Sequence, residues 1–269
     1  MAANLVLVGA GKMGGALLAG LVSSGRCRPE EVVAVEPSVA RRDELLALHP
    51  GIRVLASLEA GLLEAEGGAI LAVKPEQAEP VAGLLAAVGI DRVLSLVAGI
   101  STARLEAKLA PGARVIRSMP NTASMVGAGA AAISAGAAAH AEDLAWAEGI
   151  LSSVGTVVRV PERQLDAVTA VSGSGPAYLF LVAEAMVEGA VCQGLPRDLA
   201  LELVSQTLLG AGRLLTETGQ SPEQLRAAVT SPAGTTAAGL RILELKGARS
   251  AFIEAIQTAA ERSRQLGHQ

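Results

Sequence analysis

"NLVLVGAGKMGGAL", residues 4–17, decides the fold. A short apolar run rich in Val and Leu reads as a buried strand. Gly9, Gly11 and Gly14 follow in the spacing G-x-G-x-x-G, and helical apolar spacing begins at once. The glycine pattern alone is weak, but between a strand and a helix it has the context that dinucleotide binding needs. Gly9 permits the tight turn, Gly11 leaves room for a pyrophosphate against the backbone, and Gly14 lets the helix sit close to the strand. Exposed N–H groups, those of Lys12 and Met13 among them, and the helix dipole would hold the anion. Glu36 ends the next apolar run, 22 positions after Gly14. A carboxylate there accepts hydrogen bonds from an adenosine ribose 2′-OH, which favours NAD(H). Arg41 and Arg42 lie close behind and could instead cradle the 2′-phosphate of NADP(H), so both cofactors stay open. The plain alternative is a glycine turn with no ligand.

Strand and helix patterns go on alternating beyond this unit. Residues 32–36, 68–73, 92–99 and 113–119 read as strands with helical segments between them. Such alternation implies a parallel sheet with right-handed crossovers. The Gly/Ala-rich run from Val126 reads as a small-residue strand followed by a loop. After residue 164 no strand pattern appears. Helical spacing covers 165–193, 197–218, 222–229 and 236–265, broken by Gly194-Leu195-Pro196, Gly219 and Pro232. The expected fold class is α/β: a Rossmann-type dinucleotide-binding domain over 1–162, then an all-α domain over 163–269.

Composition narrows the chemistry. The chain is 51% hydrophobic but has one Trp, one Tyr and two Phe. The core must be Ala, Leu and Val, and ring stacking cannot be a main binding device. Small-residue helices of this kind would gain core by pairing with a second subunit. The net charge of −4, with no Lys/Arg cluster, argues against nucleic acid. Cys27 and Cys192 stand far apart, and His49, His140 and His268 are scattered. No metal site is expected, and a reduced cytoplasmic setting is. "MAANLVLVGAG" has no basic leader region and reads as a first strand rather than a signal peptide. "YLFLVAEAMVEGAVCQGL", 178–195, comes nearest to a membrane span, but Glu184 and Glu188 interrupt it, so no membrane partner is expected.

Between Pro161 and Leu245 there is no Lys and no His. The acidic residues there mostly fall on polar helix faces. A site that must relay a proton to or from an alcohol is poorly supplied. The stretch "VTSPAGTTAAGL", 229–240, offers only N–H and O–H donors. It suits a substrate that brings its own carboxylate and its own proton, such as the iminium form of a cyclic imine. The ordinary alternative is a Ser/Thr helix cap.

At this point a resemblance becomes specific. "VGAGKMGGALLAGL" (8–21), "AVKP" (72–75), "LVAGIS" (96–101), "VIRSMPNTASMVGAGA" (115–130), "AVTAVSGSGPAYLF" (167–180), "GLPRDLALELVSQTLLGAGRLL" (194–215) and "SPAGTTAAGLRILE" (231–244) occur in order along the chain. Together they resemble the pyrroline-5-carboxylate reductase family, whose reaction is the last step of proline biosynthesis. The resemblance implies hydride transfer from NAD(P)H to 1-pyrroline-5-carboxylate. It places Val73, Lys74, Pro75, Ala98, Gly99 and Asn121 on the nicotinamide and ribose side. It gives Ser231, Gly234, Thr235 and Thr236 to the substrate carboxylate, with the Thr236 hydroxyl as the catalytic group at the ring nitrogen. Ser172 and Ser174 would act as support. A homodimer through the helical domain is implied, with decamers as a further assembly. Ala233 stands where the family has Gly, which questions any need for positive φ there. Two competitors remain. A β-hydroxyacid dehydrogenase would place a lysine within about one turn of its Ser/Gly motif, where this chain has Tyr178, Leu179, Phe180 and Leu181. A non-catalytic dinucleotide-binding module would use the apolar helices for assembly alone.

Overall fold

The computed structural model describes residues 3–267. By its contacts the chain falls into two units. The first comprises residues up to Ser174 together with those from Ala259 onward, and the second is Gly175–Thr258.

The first unit alternates β1 (Ala3–Val8), α1 (Lys12–Ser23), β2 (Val32–Val35), α2 (Val39–Leu48), β3 (Arg53–Leu55), β4 (Leu63–Leu71), α3 (Pro75–Ala87), β5 (Arg92–Ser95), α4 (Thr102–Glu106) and β6 (Arg114–Met119). It continues with β7 (Gly129–Ala135), α5 (Ala141–Leu151), β8 (Gly155–Arg159) and α6 (Leu165–Val168). The eight strands form one sheet in the order β3-β2-β1-β4-β5-β6-β7-β8. Both faces are covered, as the uninterrupted apolar strands require. Leu5, Leu7, Ile70, Leu94 and Ile116 pack on one face with Leu17, Leu18 and Leu21 of α1. Val6, Val8, Val33, Leu71 and Val93 pack on the other with Ala82 and Leu85 of α3.

Three features depart from the predicted pattern. The sheet is parallel except for the antiparallel pair β6–β7. Residues 120–128 join those strands, too few for the crossover that a parallel pair needs. The three-residue β3 beside β2 was not predicted, because so short a run carries no period. The predicted strand 92–99 ends at Ser95, and the chain turns away through Gly99 at φ +75°.

The second unit consists of α7 (Gly175–Cys192), α8 (Arg197–Glu217), α9 (Pro222–Ala228), α10 (Thr235–Leu245) and the greater part of α11 (Ala248–Gly267). Gly194 and Gly219, at φ +93° and +67°, end α7 and α8 in the left-handed conformation common after helices. Gly247 at φ +73° splits the predicted helix 236–265 into α10 and α11 in the same way. The predicted boundary at 162/163 lies inside the first unit. Residues 163–174 pack there, and Ser263 Oγ of α11 donates to Asp166 Oδ1 at 2.7 Å. Residues Thr169–Gly173 form a π turn between α6 and α7.

Candidate active site

The strand order reverses direction at β1. The chain runs outward through β2 and β3 on one side, and returns to build β4, β5 and β6 on the other. In open α/β sheets ligands lie outside the carboxyl ends of the strands at such a switch point. The glycine turn sits there. Gly9 has φ +89°, and a Cβ on it would stand 2.6 Å from the Ala72 carbonyl oxygen, so conformation and space both demand glycine. A Cβ on Gly14 would overlap the Gly9 carbonyl. Around Gly11 nothing lies within 4 Å of the Cβ position, which faces open space. Gly11 is also the N-cap of α1 and gives it no side-chain cap. Among the described residues the N–H groups of Lys12, Met13 and Gly14 have no protein partner. An open helix start with aligned donors and free space before it fits the pyrophosphate of a dinucleotide.

Glu36 leaves β2 directly beside this turn. Its Oε2 accepts the Ala10 N–H at 3.1 Å and its Oε1 accepts the Ser38 N–H at 3.0 Å. A cleft of about 550 Å³ opens between Gly9, Gly11, Glu36, Val73 and Lys74. Its far wall is Ser57 and Leu58, just past β3, with Pro80 and Leu84 of α3. The sequence reading missed this wall because it missed β3. A neighbouring cleft of about 540 Å³ shares Glu76 with the first and is lined by Pro75, Ala98, Gly99, Thr169 and Ser174. Arg262 and Ser263 of α11 close its side. Of the predicted cofactor residues, Gly9, Gly11, Glu36, Val73 and Lys74 line the first cleft and Pro75, Ala98 and Gly99 the second.

Asn121 stands apart from both clefts. It is 9% exposed, its Nδ2 donates to the Ser172 carbonyl at 3.0 Å, and its Oδ1 accepts the Ala130 N–H at 3.1 Å. The carboxamide is a strut from the end of β6 to the π turn. Such turns recur at functional sites, and this one leads to Ser174 in the second cleft. Glu162 is a second strut, unforeseen in the sequence. It accepts the Thr102 N–H at 2.9 Å, the Thr102 hydroxyl at 2.7 Å and Arg117 Nη1 at 3.0 Å. Burial pushes its pKa upward, but the two Thr102 donors and the Arg117 guanidinium outweigh that and hold it below the ordinary 4.5.

In the second unit the loop before α10 is exposed. Ser231 accepts the Gly234 N–H on its carbonyl at 3.1 Å. Ala233 lies at φ +57°, the one non-glycine with positive φ among the described residues. The left-handed turn is therefore kept in spite of the alanine, against the expectation from its side chain. Gly234 is the N-cap of α10, with no side-chain cap. Ser221, by contrast, caps α9 by accepting the Gln224 N–H at 3.3 Å. The ordinary cap reading does not hold for 231–236. The N–H groups of Thr235, Thr236 and Ala237 have no protein partner among the described residues. No His, Lys, Asp or Glu interrupts residues 229–240. Among the described residues no cluster of His, Cys, Asp and Glu could hold a metal ion.

Comparison with known proteins agrees along the whole chain. The family model "Pyrroline-5-carboxylate reductase dimerisation" matches residues 162–266. "NADP oxidoreductase coenzyme F420-dependent" matches residues 4–99. A pyrroline-5-carboxylate reductase of Synechocystis is 45% identical, with 99% of each chain covered. One from Methanosarcina acetivorans is 44% identical over 97% of this chain and 96% of its own. The structure of a Coxiella burnetii pyrroline-5-carboxylate reductase superposes with a TM-score of 0.92 at 36% identity, with 99% of each chain covered. That of Plasmodium falciparum pyrroline carboxylate reductase with NADP bound superposes at 0.83 and 27% identity, with 98% of each chain covered. The glycine turn at the switch point, the uncapped start of α10 and the full-length matches agree, and the chain belongs to the pyrroline-5-carboxylate reductase family.

Proposed function

We infer that the protein reduces 1-pyrroline-5-carboxylate to L-proline with a nicotinamide dinucleotide, as the last step of proline biosynthesis. The observation that carries this reading is the loop 231–236. It opens α10 with unpartnered N–H groups and hydroxyls, and it has no ionisable side chain. The dinucleotide supplies the hydride. The protonated imine accepts it at carbon, and the C=N π pair becomes the lone pair of the amine nitrogen. No group of the chain need give or take a proton in that step, which suits a helical segment without Lys or His.

The chain contributes positioning and donors. The N–H groups at Lys12 and Met13 hold the pyrophosphate before Gly11, and Glu36 faces the adenosine ribose. Val73, Lys74, Pro75, Ala98 and Gly99 shape the nicotinamide side, with Asn121 acting through the π turn it holds. Ser231, Gly234, Thr235 and Thr236 receive the substrate carboxylate, and the Thr236 hydroxyl meets the ring nitrogen. No metal takes part in this scheme. Two copies pair through the helices in a homodimer, and such dimers can assemble into decamers. The same reading puts the enzyme in the cytoplasm, in keeping with its two distant free cysteines. The run 162–192 contains an 18-residue window long and apolar enough to cross a membrane, with mean hydropathy 1.3 over that window. It falls in the segment that matches the dimerisation model, and a second copy is the cover assigned to it here.

The test follows NAD(P)H absorbance with 1-pyrroline-5-carboxylate and then with 3-hydroxyacids. Oxidation is expected with the imine alone. No turnover with the imine at any pH between 6 and 9 would sink the reading. Thr236→Ala is expected to lower kcat/KM on the order of 10²-fold and to leave dinucleotide affinity unchanged. An equal loss of dinucleotide binding would make Thr236 a folding residue instead.

A further inference from the structure

Resting on that dinucleotide reading, we propose that the ribose end of the first cleft selects NADH over NADPH, with Glu36 as the selecting residue. Four observations at the β2–α2 corner meet in this assignment. First, each carboxylate oxygen of Glu36 accepts one backbone N–H, from Ala10 or from Ser38. These bonds fix the carboxylate at the cleft wall and leave lone pairs on both oxygens. A ribose 2′,3′-diol brings two donors that match them.

Second, a 2′-phosphate would need donors, and the two backbone N–H groups nearest the Glu36 carboxylate are not free. Residue 37 is a proline, with no N–H to give. The N–H groups of Ala10 and Ser38 on either side already point into the Glu36 carboxylate. The phosphate would bring acceptor oxygens and like charge against a carboxylate that the backbone holds in place.

Third, Arg41 braces the glycine turn. Its Nε donates to the Ala10 carbonyl at 2.6 Å and its Nη1 pairs with Glu44 at 2.6 Å. The arginine reaches the turn because residue 15 is glycine: a Cβ there would overlap the guanidinium. Ala10 is thus held at both ends of its backbone, by Glu36 on its N–H and by Arg41 on its carbonyl.

Fourth, Arg42 Nη1 donates to the carbonyls of Glu36 and Pro37 at 2.9 and 2.7 Å. Both cations that could have cradled a phosphate are thus tied to carbonyl oxygens of the turn and the corner. They build the corner that presents Glu36. The NADP-bound Plasmodium structure shows that a member of the family takes the phosphorylated cofactor. The inference for this chain is one of preference, set by its own corner residues.

The test is equilibrium titration of the full-length protein with NADH and with NADPH, followed by nicotinamide fluorescence without imine. Wild type is expected to bind NADH at least about tenfold more tightly. Glu36→Ser is expected to narrow that ratio about tenfold or more, by losing NADH affinity and gaining NADPH affinity. Arg41→Ala and Arg42→Ala are expected to weaken both cofactors alike and leave the ratio unchanged. The ratio of kcat/KM values for the two cofactors with the imine should follow the binding ratio. Tighter binding of NADPH by wild type would overturn the proposal. So would a loss confined to NADPH in either arginine variant, which would make the arginines the phosphate cradle. Binding of neither cofactor would overturn the dinucleotide reading itself, whereas a reversed ratio overturns only the preference.

Discussion

Ala233 shows how a single residue can carry the geometry of a loop against its own preference. Its φ of +57° belongs to the left-handed region, where a Cβ crowds the neighbouring carbonyl at a cost of about 1–2 kcal/mol. The backbone there must turn so that Gly234 can start α10 with its first N–H groups facing outward. Strain of this kind persists where the surroundings over-determine the backbone, often at functional loops. Ala233→Gly is therefore expected to stabilise the protein on the order of 1 kcal/mol, offset in part by the extra freedom of glycine in the unfolded chain. Ala233→Val should destabilise it. Thermal unfolding of both variants checks the pair, and a lower midpoint for the glycine variant would show that the Ala233 methyl is needed for packing.

At the scale of elements, Glu162 ties together the start of α4, the strand β6 and the beginning of the helical segment. Among the described residues it is the acceptor for both donors of Thr102 and a partner of Arg117. Its folded pKa is lowered. The stabilisation it contributes is therefore present above the ordinary glutamate value of 4.5 and lost as pH falls through the lower folded value. Glu162→Gln should remove this contribution. The difference in urea midpoint between wild type and variant is expected to be clear at pH 7 and to vanish in the acid range below 4.5. A difference that stays the same from pH 7 to pH 3 would show that shape, and not charge, carries the effect. Helix ends follow the same logic of local partners. Ser221 caps α9, yet Ser231 leaves α10 uncapped because the turn at Ala233 puts Gly234 in the N-cap position.

At the scale of the molecule, the second unit has too little core to stand as a free surface. Its buried apolar residues are Val187, Ala200 and Val204. Phe180, Leu181, Leu201, Leu209 and Leu245 are all more than half exposed. Exposed apolar surface of this extent marks an interface, and the matched dimerisation model indicates homo-oligomerisation. Leu181→Asp is expected to reduce or abolish the oligomer in sedimentation, with dinucleotide binding by the first unit retained. A variant that sediments as wild type would place the contact on another face. Glu184 and Glu188, which interrupt the apolar run of α7, do not prevent such a use, since a polar stripe beside an apolar face is ordinary in interfaces.

The sequence by itself determined the periods and the exceptional glycines. Alternating elements, the turn at 9–14, the carboxylate at residue 36 and the loss of strands after residue 164 are all local. Each follows from side-chain spacing or from a residue type that only certain backbones accept. Tertiary structure decided whatever depends on neighbours distant in the chain. It paired the unforeseen β3 with β2 and turned β7 antiparallel. It gathered 163–174 and the end of α11 into the first unit. It engaged the Asn121 carboxamide in the protein's own backbone and brought Glu162 to Thr102 and Arg117. The physical reason is that a long-range hydrogen bond is fixed by which groups meet, and Asn121 and Ser172, or Thr102 and Glu162, lie tens of residues apart.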